Sequence, residues 1–380
     1  IYCHRSGGMS AYTEEAHGKS AFFLCSFLYF LSLAIGNVAI GISAVGYLTP
    51  FFPWLGSGAI PLFVGTVGLI WLTTVANFGG PRITGRIGAI TVWGVIIPVA
   101  GLSLIGWFWF DPAVLKDAWN PHSLKISDAI AQSIPLTLWA FLGMESAAQN
   151  SDAVENPERN VPLACLFGTL GAAVVYVLST TVIQGIVPNA ELANSSAPFA
   201  YVYAQMFNPF IGNIIMGLAV MACIGSLLGW QFTLAQTAKV TADQGMFLKL
   251  FGKVTAANAP VIGMIVCGVL QTLLALSTIS PNASAQFSKL VNLAAVTNLI
   301  PYVTALSGLL VIMYKARVSA AIYTRNVVVL MVAMVYCFYA LYASGKDAVF
   351  GAMLVLALGY LLYGFIAKRF VAEQPAPGKA

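Results

Sequence analysis

The sequence predicts an all-α, polytopic membrane protein, and three observations carry that prediction. Hydrophobic residues make up 59% of the 380 and charged residues only 8%, a balance that soluble globular domains do not have. The mean hydropathy is +0.84, and the apolar residues gather into runs of 18 or more, each able to cross a hydrocarbon core of roughly 30 Å. Nearly every charge lies between those runs. The exception is Glu145, a carboxylate inside the otherwise membrane-grade stretch SIPLTLWAFLGMESAAQNSD.

In chain order, the first twenty residues are polar, begin with Ile and lack a signal-peptide core, so they read as a loop ahead of the first span. Glu14 and Glu15 stand in it. The first span covers about 20–48 and carries Tyr29 and Asn37, which fall within about 80° of one helix face at eight residues' separation. For both, packing and ligand contact are open readings. The second span is near 58–78. The turn NFGGPRITGR supplies Gly and Pro for a reversal before the third, near 87–109. Residues 111–128 form a polar loop beside Trp107, Trp109 and Trp119, which fit an interfacial aromatic belt. The fourth span, 129–151, ends at ENPERNVP, where Pro157 stops one helix and Pro162 suits the start of the fifth, near 163–187. Five more spans follow near 211–238, 260–280, 290–314, 325–344 and 347–367. The sixth carries Cys223, Trp230 and the small-residue pair Gly225 and Gly229, a spacing that lets helices approach closely. In the eighth, Asn292, Thr297, Asn298 and Pro301 read as packing positions, and the Pro-rich end, 368–380, reads as a disordered tail.

Alternating ten spans places fourteen of the 18 Lys and Arg residues on one side and four on the other. Adding or removing a span would scramble that asymmetry, so by the positive-inside rule both ends are expected in the cytoplasm. The net charge of +5 thus reflects topology and does not point to nucleic acid. Six scattered cysteines and three histidines outside the spans give no paired spacing, so neither a disulfide framework, a metal site nor a bound cofactor is expected.

An acid near the bilayer centre costs ~2.5–3.5 kcal/mol on insertion scales, which makes Glu145 a functional-site hypothesis with a cationic partner. Trp139 and Ser146 share one face of an unbroken helix, whereas Glu145 lies roughly 120° away. Trp139 and Glu145 can line one cavity only if the helix is interrupted near Gly143. Helix breaks at bilayer depth are how transporters build midplane sites.

ENPERNVP after a span containing WAFLGMES resembles the amino acid, polyamine and organocation transporter superfamily, and within it the basic amino acid and polyamine antiporters. SAVGYLTP, TVANFGGPRITG, GSLLGWQFTLAQ, LVNLAAVTNLIPY and FYALYASG extend the resemblance along most of the chain. It implies a single transporter domain with a five-plus-five inverted repeat in an inner membrane. It also implies twelve helices, of which the first two would precede residue 1. The implied activity is exchange of a cationic amino acid for its decarboxylated diamine, ornithine for putrescine. Lysine with cadaverine, arginine with agmatine and proton-coupled uptake remain alternatives, and a homodimer stays open. Carried over position by position, the resemblance makes Trp139 an aromatic lid and Glu145 the acid that meets an ammonium, with Trp230, Tyr29 and Asn37 as walls. Gly143, Ser146, Cys223, Tyr360, Tyr363 and Glu14 complete the candidate site. A diamine needs such a site, because its ends call for carboxylate or cation–π contacts and its stem for ring faces.

Other classes fit less well. A channel would need repeated acidic rings or a carbonyl filter, and an enzyme a nucleophile with a base or metal ligands within the spans. No GxxxxGK[ST] sequence occurs, so nothing points to ATP-driven transport.

Overall fold

A computed structural model describes residues 8–145, 155–195, 197–277, 279 and 282–371. Ser146 and the tail beyond residue 371 lie outside the described residues. Those described form helices and connecting turns, with no strand among them. The helices are α1 (Gly8–His17), α2 (Lys19–Leu48), α3 (Ala59–Ala76), α4 (Pro81–Thr91), α5 (Trp93–Ile105), α6 (Pro112–Ala118), α7 (Ile126–Phe141) and α8 (Pro157–Ile186). They continue with α9 (Asn189–Asn194), α10 (Pro198–Met206), α11 (Pro209–Asp243), α12 (Val261–Ser277), α13 (Ala283–Lys315), α14 (Ala320–Ala343) and α15 (Lys346–Val371).

Each of the ten expected spans coincides with a helix or a pair of successive helices. Eight are long and apolar enough to cross a membrane, with α4 and α5 forming one run to Trp109. The other two are α12, an apolar helix of 17 residues, and α7, which has 16 and leaves helical geometry before the apolar run ends.

α2 is apolar around its whole circumference, the pattern of a helix with no solvent or lipid face, and it occupies the centre. Its most extensive partners are α13 and α11, with α1, α3, α12 and α15 completing the ring around it. Ser32 on α2 donates to the carbonyl of Ala294 on α13 at 2.9 Å. α8 is the opposite case, an apolar helix whose most hydrophobic window has no buried residue. Together with exposed Leu104, Phe167, Val332 and Leu361 it gives the molecule an apolar girdle, far beyond what a water-facing surface tolerates.

The polar segment before the first span is not a loop. Residues 8–17 form α1, whose Met9, Ser10, Ala11 and Thr13 are buried against α2 and α13. Its polarity is met by protein instead of water. Thr13 Oγ1 donates to Ser10 O at 2.8 Å, Ser26 Oγ donates to Ser10 Oγ at 3.0 Å, and His17 Nε2 lies 2.9 Å from Ser307 Oγ. Lys315, at the end of α13, pairs with the Glu15 carboxylate at 2.6 Å and donates to its carbonyl at 2.7 Å.

Close approach of α4 to α11 depends on Gly225. A methyl group there would overlap Thr91 Oγ1, and that hydroxyl is held by its bond to Ile87 O at 3.0 Å. Gly225→Val is therefore expected to destabilise the fold by about 1–3 kcal/mol, read as a lower unfolding midpoint in detergent. An unchanged midpoint would show that these two helices can part at no cost.

Candidate functional site

The site begins where α7 stops. Pro135 is accommodated inside the helix and buried, but at Leu142 the backbone turns extended, with ψ 142°. Gly143 then takes φ +110°, a conformation that side chains rarely adopt. This interruption leaves helix-terminal groups in need of partners. Tyr176 on α8 donates its hydroxyl to Ala140 O at 3.0 Å. The N–H of Gly143 donates to Glu145 Oε2 at 2.8 Å, and the Tyr302 hydroxyl on α13 donates to the same oxygen at 2.5 Å.

Because the chain leaves the helix at this point, Trp139 and Glu145 line one cavity. It has a volume of about 310 Å³ and is walled by Asn37 on α2, Trp230 on α11, Asn298 on α13 and the residues around Gly143. That volume lies at the low end of the ~300–1,000 Å³ typical of small-molecule sites. Two glycines shape it. A methyl group at Gly36 would overlap the six-membered ring of Trp139, and one at Gly143 would stand 2.8 Å from the ring of Trp230. Each indole is thus seated against a backbone with no side chain.

Among the described residues, Glu145 is the only Asp, Glu, Lys, Arg or His in the lining. Asn298 is 3% exposed, and its Oδ1 has no hydrogen-bond partner among the described residues. One carboxylate, the Asn298 amide oxygen and two indoles form a surface suited to a guest rich in N–H donors with an apolar stem.

The remaining candidates are placed differently. Tyr29 is buried outside the lining, packed with Met9, Cys25 and Tyr302 at the Lys19 side of the cavity. Cys223 lies beside Ser43. Ser43 belongs to the wall of a second cavity, of about 840 Å³, farther along α2 toward Leu48, and the lining of that cavity carries no charge. Glu14 is half-buried on α1, away from both linings. Tyr363 packs its ring on Phe23 at a centroid distance of 5.6 Å, and Tyr360 is 57% exposed on the outer surface of α15. Neither lines the cavity. Ser146 lies outside the described residues.

Sequence reasoning missed Tyr302 and gave Asn298 to packing. Their separation of four residues, which places both on one face of an apolar helix, was the available signal. Thr297 does serve the helix itself, bonding to Leu293 O at 2.7 Å.

Gly143→Ala is expected to weaken substrate affinity about tenfold or more, since the strained backbone costs ~1–3 kcal/mol and the new methyl group displaces Trp230. Equilibrium binding to the purified variant checks this; an unchanged affinity would mean that the interruption does not set the position of the ring.

Comparison with known proteins gives one consistent placement. Residues 2–363 match the amino acid permease family. The putrescine transporter PotE of Escherichia coli strain K12 is 54% identical over 372 residues, covering 97% of this chain and 84% of that protein. PotE of Haemophilus influenzae is 51% identical over 97% of this chain and 85% of its own length. A cadaverine/lysine antiporter of Escherichia coli strain K12 is 32% identical over 94% of this chain and 81% of its own. With its apolar helices and its interrupted α7, the chain is a multi-pass membrane protein that belongs to the amino acid permease family.

Proposed function

We propose that this protein is a secondary transporter that exchanges a cationic amino acid for its decarboxylated diamine, ornithine for putrescine. The observation that supports this most is the Glu145 carboxylate in a small cavity that Trp139 and Trp230 also line. An ammonium group meets the carboxylate and the indole faces, and the alkyl stem lies along the rings. The identities of 54% and 51% to proteins named as putrescine transporters favour putrescine over cadaverine, since the cadaverine/lysine antiporter stands at 32%. Decarboxylation of the amino acid inside the cell consumes a proton and yields a product with one more positive charge, so exchange exports acid equivalents.

The charge asymmetry supports an orientation in the inner membrane with both ends of the described chain in the cytoplasm. Tyr302 and Tyr29 then close the cytoplasmic end of the cavity, and the larger uncharged cavity lies on the outer side. Among the described residues, both bonds to the Glu145 carboxylate go to Oε2, which leaves Oε1 for the guest.

In the full-length protein, Glu145→Gln keeps size and hydrogen bonding while removing the charge. Contacts to charged groups are worth ~1.5–3 kcal/mol against ~1 for neutral ones, so putrescine affinity is expected to fall about tenfold, and ornithine affinity less. Glu145→Asp restores part of the loss. Counterflow with labelled putrescine and ornithine in vesicles measures both, and wild-type-like putrescine binding in Glu145→Gln would remove Glu145 from the site. Trp230→Leu retains apolar bulk but loses the ring face, so affinity is expected to drop more than thermal stability. Collapse of stability with normal affinity in the surviving protein would make Trp230 a packing residue.

A further inference from the structure

Behind the cavity, Asn37 is joined to a buried polar group that the transport reading does not use. Asn37 Nδ2 donates to Gln231 Oε1 at 3.3 Å. Gln231 and Gln271 exchange a reciprocal pair of amide bonds, at 2.6 and 2.9 Å. Gln231 Nε2 also reaches Thr74 Oγ1 at 3.5 Å. Asn37, Gln231, Gln271 and Thr74 are 1, 4, 0 and 2% exposed, and they come from α2, α11, α12 and α3. Of the four, Asn37 alone reaches the cavity lining.

A reciprocal amide pair can be inverted as a unit without losing its two bonds, so some other contact must set its direction. Thr74 does so. Its hydroxyl hydrogen is committed to Ile70 O at 2.7 Å, and toward Gln231 it can only accept. Gln231 must therefore present NH₂ to Thr74 and its oxygen to Asn37. Asn37 answers with its own NH₂, which leaves its oxygen for the cavity. The direction passes from a helix carbonyl through one hydroxyl and one glutamine to the cavity wall.

We propose that Gln231 and Gln271 are positioning residues for substrate selection, fixing the Asn37 side chain so that the cavity offers an arriving ammonium an acceptor instead of an NH₂ group. An ammonium carries donors only. With the amide inverted it would face a donor, and the site would discriminate against the cations it is built to take. The inference rests on the diamine reading of the cavity and adds residues that do not touch the guest.

The test uses purified full-length protein in detergent, with putrescine binding and unfolding midpoint measured together. Gln231→Met removes the acceptor that orients Asn37, and putrescine affinity is expected to fall about tenfold. Aspartate has an oxygen at both terminal positions, so its orientation cannot matter. In an Asn37→Asp background Gln231→Met should therefore leave putrescine affinity unchanged or improve it. Gln271→Met tests the same link more gently if Gln231→Met unfolds, with a smaller loss that Asn37→Asp again cancels. Equal losses with and without the Asn37→Asp substitution, or no loss in either case, would overturn the positioning role while wild-type putrescine binding leaves the transport reading intact. Absence of putrescine binding by the wild type would overturn the transport reading, and this inference with it.

Discussion

Glu145 Oε2 accepts two hydrogen bonds, one from the Gly143 N–H two residues back and one from the Tyr302 hydroxyl on another helix. These two contacts give the cavity its form. A carboxylate at bilayer depth is costly unless it is hydrogen-bonded or paired. Here it is bound to the backbone that the interruption of α7 releases. The break makes an N–H available, the N–H holds the acid, and the acid ties the loosened segment to α13. Removing any one of the three leaves the others with an unmet polar group.

The interrupted segment needs a firm counterpart, and α2 supplies it. The Gly36 and Asn37 positions in the cavity lining belong to α2, a helix enclosed by its neighbours along most of its length. One wall of the cavity is a regular helix locked by packing and by the amide group behind Asn37. The opposite wall is irregular backbone held by a carboxylate. The cavity thus has one regular wall and one irregular wall.

Much of this was legible in the sequence, for identifiable reasons. Spans are set by hydrophobic length, a property of consecutive residues, so all ten runs could be placed. The interruption near Gly143 was legible as a condition, because the resemblance puts Trp139 and Glu145 in one site and an unbroken helix cannot turn both toward it. What was not legible depends on residues far apart in the chain. Tyr302 is 157 residues from Glu145, and an aromatic residue in an apolar helix carries no sign of its partner. α1 was hidden for a related reason. Its Ser, Thr and Glu residues look solvated in sequence, but α2 and α13 take the place of water. Tyr360 and Tyr363, carried over by the resemblance, stand outside the lining, since a position on the last span does not reveal which side of the helix meets the interior.

The central place of α2 also bears on how the protein is made. α2 is synthesised well before α11 and α13, its two most extensive partners: the partner of Asn37 comes 194 residues later and the carbonyl that receives Ser32 comes 262 residues later. During that interval the helix enters the bilayer with polar side chains that lipid cannot satisfy. A helix destined for complete enclosure must therefore stay beside the insertion machinery, or find a temporary companion, until α11 and α13 arrive. Assembly in the membrane thus leaves the most enclosed helix incomplete until α11 and α13 are made.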